Sequence, residues 1–285
     1  MNEHFITTAP QFQNNVIGGL AQTFKYATPA PKRPGVHAMN NLTKEYEPLE
    51  LVHVRVVVIQ VPSLKDAWSA CVSPNLPWAE DHFQERISGE PLNPPPSHER
   101  WPFAQQGNDQ HRDEQGQFSH TYPERFWPKM ANVDRIRPNG RQVFVPHNGI
   151  RFEYGDLSDL IEVLHRNSWS RQAYLPVWFP EDLVASNQGQ RVPCTLGYHF
   201  MRNPTTEFLD MEYHIRSCDF VRFFKDDIYM AGRLLQHVAD QVGVMPGALV
   251  MNIANLHLFR GDLPLIDRWA LDALENDDAD WTSYV

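Results

Sequence analysis

Strand-patterned segments at residues 172–178, 192–201 and 207–216 follow one another without a regular strand–helix alternation. One long helical stripe then leads into a further strand at 248–259. A doubly wound fold needs strand and helix in regular alternation, and that alternation is missing. The order predicts an α+β fold, a two-layer α/β sandwich with a substantial sheet. Within 207–216, Leu209, Met211, Tyr213 and Ile215 recur at period two, as a strand buried on one side requires. Across 226–242 one stripe holds Ile228, Ala231, Leu235, Val238 and Val242; Asp226 is placed to cap its start and Gly243 to end it. A β-branched strand at 53–61, a helix at 156–166 and a last helix at 265–274 complete the outline. No linker composition interrupts it, so residues 1–285 read as one domain.

Composition narrows the partners. Of 285 residues 42% are hydrophobic, enough for a packed core. Lys and Arg number 25 against 35 Asp and Glu, a net charge of −10, which speaks against binding of nucleic acid polymers. No apolar run is long enough to span a membrane, and Met1-Asn2-Glu3-His4 opens no secretory leader. Three cysteines, Cys71, Cys194 and Cys218, are too few for a disulfide scaffold and fit a reducing cytoplasm. The stretch 105–117 is polar and nearly free of aliphatics, so it reads as a long loop.

Single motifs are weak here. Cys194 follows Pro193 in an apolar strand, where a cysteine is ordinarily a small buried hydrophobe. Arg216-Ser217-Cys218-Asp219 ends another strand and reads either as a planar donor fork for phosphate or as a surface ion pair with a turn. His98, His111 and His120 lie in the polar central region, but no metal-ligand spacing occurs, so no metal is expected. Glycine-rich phosphate loops and Gly-x-Ser-x-Gly are missing.

The ordered set is more specific. Ser170-Arg171-Gln172 is followed by Val192-Pro193-Cys194, Arg216-Ser217-Cys218-Asp219, Asp227-Ile228 and Asn255-Leu256-His257-Leu258-Phe259. This order and spacing resemble the thymidylate synthase family, with its Pro-Cys nucleophile, Arg-Ser-x-Asp, a polar base reader eight residues on and a late His-x-Tyr. More loosely, 118–122 looks like the family's Gly-x-x-Tyr segment, and Arg33 sits where a phosphate-binding arginine is expected.

The resemblance implies a thymidylate synthase-like fold, a large twisted mixed sheet packed by helices, working as a homodimer. It implies a pyrimidine nucleoside monophosphate as substrate and 5,10-methylenetetrahydrofolate as co-substrate, without metal. Cys194 would add to C6 of the pyrimidine and Tyr122 would help the C5 proton leave. Asp219 would anchor the pocket and assist base protonation, and His257 would reach the sugar. Arg33, Arg216 and Ser217, with Arg171 from the second subunit, would hold the phosphate and supply Cys194 with a cationic field.

Departures from the family pattern choose the branch. Asp227 stands where thymidylate synthases carry the Asn that faces the base. Uracil offers an N3–H donor and an O4 acceptor, which an amide matches. Cytosine offers the reverse, and a protonated carboxyl can donate to N3 while accepting from the N4 amino group. This difference resembles the cytidylate hydroxymethylases of phage DNA modification and of nucleoside-antibiotic pathways such as that of mildiomycin. Thr195 replaces the His after the nucleophile, Phe259 the sugar-binding Tyr, and Gln172 a second phosphate arginine. The family's catalytic Glu falls by spacing on His82, with Glu80 and Asp81 adjacent. The expected activity is hydroxymethylation of CMP or dCMP at C5, with dUMP thymidylate synthesis, dUMP hydroxymethylation and non-catalytic nucleotide binding as alternatives.

Overall fold

The computed structural model describes residues 4–29, 47–103, 112–114, 116–131, 135–136, 142–143 and 154–275. In chain order the strands are β1 His4–Thr7, β2 Thr28–Pro29, β3 Pro48–Val58, β4 Arg135–Ile136, β5 Gln142–Val143, β6 Ala173–Pro176, β7 Thr195–Arg202, β8 Leu209–Ile215, β9 Cys218–Asp219 and β10 Pro246–Phe259. The helices are α1 Gly19–Phe24, entered through a π-helical stretch Gln13–Gly18, then α2 Lys65–Val72, α3 Trp78–Ile87, α4 Tyr122–Phe126, α5 Pro128–Ala131, α6 Leu157–Arg166, α7 Glu181–Asn187, α8 Phe224–Val242 and α9 Leu263–Glu275. The main sheet runs β1-β3-β10-β8-β7-β6, with β2 on β3 and β9 on β10. It mixes parallel pairs (β1 with β3, β10 with β8) and antiparallel ones. A mixed sheet packed by helices is the architecture expected for the thymidylate synthase fold.

The period-two pattern of 207–216 gives β8 its buried row of Leu209, Met211, Tyr213 and Ile215. That row meets Ile228, Leu235 and Val238 of α8, which lies across β8 and β10. Asp226 does not cap this helix. α8 begins two residues earlier, and the Asp226 carboxylate instead accepts the backbone N–H of Asn75 at 2.7 Å and its side-chain amide at 2.8 Å. Gly243 does end it, at a left-handed φ of 74°. α2 docks on α8 through Trp68, whose indole N–H donates to the Tyr229 carbonyl at 3.0 Å.

One irregularity positions everything that follows. On β3 the buried residues are Leu49 and Leu51, then Val54, Val56 and Val58, so the buried parity changes at His53, whose φ is +57°. On β10 it changes at Ala254, between Ile253 and Leu256, level with His53 in the register. The β7–β8 register shifts between Thr195 and Gly197. These bulge-type breaks cross neighbouring strands along one line, re-aiming the strand ends beyond it. Thr195, Cys218, Asp219 and His257 all lie on or past that line. No helix among the described residues is long and apolar enough to cross a membrane.

Candidate active site

Cys194 immediately precedes β7. Its carbonyl accepts the Arg216 backbone N–H at 2.9 Å, and the Arg216 guanidinium donates to the carbonyls of Pro193 (Nε, 2.8 Å) and Val192 (Nη2, 2.9 Å). The arginine of the Arg-Ser-x-Asp segment therefore fixes the loop that carries the thiol. Thr195 is fully buried, and its hydroxyl meets Tyr122 Oη at 3.2 Å and Tyr213 Oη at 2.9 Å. Tyr122 is held from its own side too. It opens α4 behind a capping box in which the Thr121 hydroxyl accepts the Glu124 backbone N–H and the Glu124 carboxylate accepts that of Thr121.

Burial pushes the Cys194 thiol up; Arg216 and Arg191 pull it back and Asp227 adds to the rise, with a net upward result. The cationic field expected from the sequence is present, but in this single chain it does not outweigh desolvation. Tyr122 is likewise pushed up, by burial and then by Cys194 and Asp227.

Asp227 lies in the first turn of α8 and is buried. Burial raises its carboxyl to about 7, Arg86 opposing and Asp226 adding. The Cys218 thiol, itself raised by burial and therefore protonated, lies 3.7 Å from Asp227 Oδ2 and donates to it. Asp219, one residue on, is buried with Oδ1 accepting the backbone N–H groups of Val221 (2.9 Å) and Arg222 (3.0 Å) and Oδ2 facing Arg222 Nη1 at 3.2 Å. It organises the turn leading into α8.

The remaining predicted residues divide. His257 lies on β10 level with Asp219, its ring lowered in pKa by burial. Ser217 follows Arg216 in the link to β9. Arg171 is exposed just before β6, and the β6–β7 register sets it level with Arg202, seven residues along β7 from Thr195. At about 3.3 Å per residue that is roughly 23 Å away, so Arg171 cannot reach Cys194 of its own chain. Arg33 and most of the 105–117 loop lie outside the described residues.

Of the three candidates on α3, Glu80 is held by Arg233 (3.0 and 3.1 Å) and Tyr229 (2.7 Å), and Asp81 pairs with Arg100 at 3.0 Å. His82 is buried and stacked on Trp78, its Nδ1 3.1 Å from Glu85 Oε2 and 3.2 Å from Ser97 Oγ. Burial, with Arg86 next in effect, lowers its pKa to about 4. A neutral ring whose Nδ1–H is directed to Glu85 leaves Nε2 as the basic nitrogen.

A family model for thymidylate synthase matches residues 106–271, more than half of the chain. The chain is 25% identical over 150 residues to a protein provisionally named thymidylate synthase from Methanococcoides burtonii, covering 48% of this chain and 67% of that protein. It is 26% identical over 153 residues to one of the same provisional name from Methanosarcina barkeri, covering 48% and 66%. This chain belongs to the thymidylate synthase family. It spans about two thirds of the length of these relatives.

Thymidylate synthases use methylenetetrahydrofolate, and beside His82 lie two tryptophans whose unpartnered indole donors suit an acceptor-bearing heterocycle. Trp101 stacks on Phe223 at 4.8 Å and 20°, and Trp78 lies 6.0 Å from Trp101. The indole N–H groups of both tryptophans are buried without a partner. Among the described residues no group of three His, Cys, Asp or Glu could hold a metal.

Several residues of this site escape the sequence reading. Arg191 precedes the loop of Val192-Pro193-Cys194, and its backbone bonds the ring of His120, which the sequence offered only as a metal candidate. Burial, then Arg125 and Arg191, lower the His120 ring to about 3. Glu85 and Arg86 sit three and four residues after His82, a spacing that would have placed them on its helix face. Arg86 is 4% exposed, with its guanidinium carbon 4.1 Å from the centroid of the Tyr122 ring.

Proposed function

We propose that this chain is a folate-dependent cytidylate 5-hydroxymethylase, acting on CMP or dCMP as a homodimer. The observation that carries the reading is Asp227: a buried carboxyl, raised to about 7, at the position from which the family reads the base. With Cys218 donating to Oδ2, the proton is directed to Oδ1. Oδ1–H then donates to N3 of cytosine while Oδ2 accepts from the N4 amino group.

In this reading Cys194 adds to C6 as thiolate, drawing on Arg216 and Arg191, and makes C5 nucleophilic. Tyr122, aligned by Thr195, takes part in removing the C5 proton. The folate supplies the one-carbon unit at the oxidation level of formaldehyde. His82, neutral and oriented by Glu85, activates the water that becomes the hydroxyl of the hydroxymethyl group. Arg216, Ser217 and Arg33 bind the phosphate, Asp219 supports the pocket and His257 faces the sugar.

Homodimerisation draws support from the open face of the sheet. Opposite the core, alternate residues Ile6, Ile59, Tyr174 and Met201 are exposed. A cleft of about 300 Å³ on that side is lined by Arg55, His214 and Asn252 and does not contain Cys194. A second copy on this face would cover it and bring its Arg171 to the phosphate that its own chain's Cys194 site cannot share.

A dUMP thymidylate synthase is the second reading, favoured by the provisional name of the relatives. Replacing Asp227→Asn separates the two. The cytidylate reading expects turnover of CMP and dCMP to fall by about 10²-fold or more while dUMP turnover rises. Unchanged base preference in the variant contradicts it.

A further inference from the structure

Two arginines are deeply buried around α4, Arg125 on the helix itself and Arg86 beside it on α3, and they differ in one respect. Arg125 gives both Nη groups to Asp182, at 2.9 Å each. The Nε of each is without an acceptor, but Arg86, unlike Arg125, has no carboxylate partner among the described residues. A buried guanidinium without a counter-charge is destabilising by several kcal/mol, so its presence calls for a reason outside stability. Its surroundings supply one. It lies over Tyr122, whose hydroxyl meets Thr195 next to the nucleophile. Its charge acts on His82, Tyr198, Tyr122 and Asp227.

The chemistry of a cytosine substrate creates a new anion in this place. As the Cys194 sulfur bonds to C6, the C5=C6 π pair shifts to C4=C5. The N3=C4 π pair moves onto N3, which takes the proton of Asp227. Nothing is oxidised or reduced; one negative charge leaves Sγ and appears on the Asp227 carboxylate. The groups that act on that carboxyl are Asp226 on its own helix, Cys218 on β9, Cys194, Tyr122 on α4, Tyr198 and Tyr213 on β7 and β8, and Arg86 on α3. Arg86 is the cation among them. We propose that Arg86 is a positioning residue that holds the carboxylate formed at Asp227 when its proton passes to N3, and so governs how fast Cys194 adds to cytosine. This rests on the cytidylate reading. A uracil ring already carries a proton on N3 and would leave no charge on Asp227.

The test measures tritium release from C5-labelled CMP, dCMP and dUMP with methylenetetrahydrofolate across pH, together with melting curves. Arg86→Gln is expected to slow release from the preferred cytidylate by about 10²-fold. It should also shift to higher pH the kcat/KM limb that Asp227→Asn removes. Arg86→Lys should recover at least about tenfold. Because Arg86 gives up no ion pair among the described residues, Arg86→Gln should melt at or above the wild type. Wild-type release from a cytidylate with rate and limb unchanged in Arg86→Gln overturns the role of Arg86 and leaves the cytidylate reading intact. A fall in Tm of more than about 5 °C with no rescue by lysine makes Arg86 structural and overturns its role too. Wild-type release from dUMP alone, or from none of the three, overturns both.

Discussion

Asp227 carries two opposed demands. A carboxyl held near neutrality can give a proton to a base, yet once ionised it is a buried charge with no salt bridge among the described residues. Its folded value, about 7, lies above the unfolded value of about 4. The protonated form is therefore favoured by the fold, and the stability it lends is complete below about pH 4 and lost as pH rises through 7. Asp227→Asn should accordingly stabilise the fold at pH 8 by a few kcal/mol at most, seen as a raised melting temperature, and much less at pH 5. Differential scanning calorimetry at the two pH values checks this; equal shifts would show that the carboxyl is not perturbed. The family's spacing in the chain was enough to pick out Cys194, Asp219 and Asp227 as candidates. Arg86 was not among them, because nothing around it in sequence marks a cation that lacks a carboxylate partner among the described residues, and α3 has no clean apolar period. Its buried face includes His82 and Arg86 beside Trp78, Ala79 and Phe83, which blurs any apolar stripe.

At the scale of elements, the site depends on short pieces being fixed rather than on long ones. α4 has five residues, and it is anchored by the Thr121 capping box at one end and the Arg125–Asp182 pair at the other. Asp182 also accepts the Phe179 backbone N–H at 2.7 Å, tying α7 into the same knot. Asp182→Ala leaves Arg125 buried without a counter-ion and should cost about 3–5 kcal/mol, read as a lowered urea midpoint. A loss under about 1 kcal/mol would show that α4 is held by its apolar contacts alone. The strands of 207–216 and 248–259 and the helix near 226–242 were readable from periodicity. The parity reversal at His53 and Ala254 was not, since paired irregularities on adjacent strands alter which residues face the core without altering local composition. Asp226 misled for a related reason: a helix-capping residue type served a long-range bond to Asn75 instead.

For the molecule as a whole, a net charge of −10 coexists with a few arginines gathered at one strand end, Arg191 and Arg216 among them. Arg171 is too far along the sheet to join them within one chain, so the account requires a second subunit. Cys194→Ser and Arg171→Ala should each be inactive or nearly so. Mixed in equal amounts and allowed to exchange subunits, half the dimers become hybrids with one intact site of two, restoring about a quarter of wild-type activity. No restoration, or a monomer in sedimentation, would remove the shared site.

The central claim is the choice of base, and product analysis of the unmodified protein tests it most directly. Incubated with methylenetetrahydrofolate and each of CMP, dCMP and dUMP, the protein should convert a cytidylate to its 5-hydroxymethyl derivative, seen by mass spectrometry as the addition of CH2O. Methylated dUMP, with both cytidylates unchanged, would contradict it.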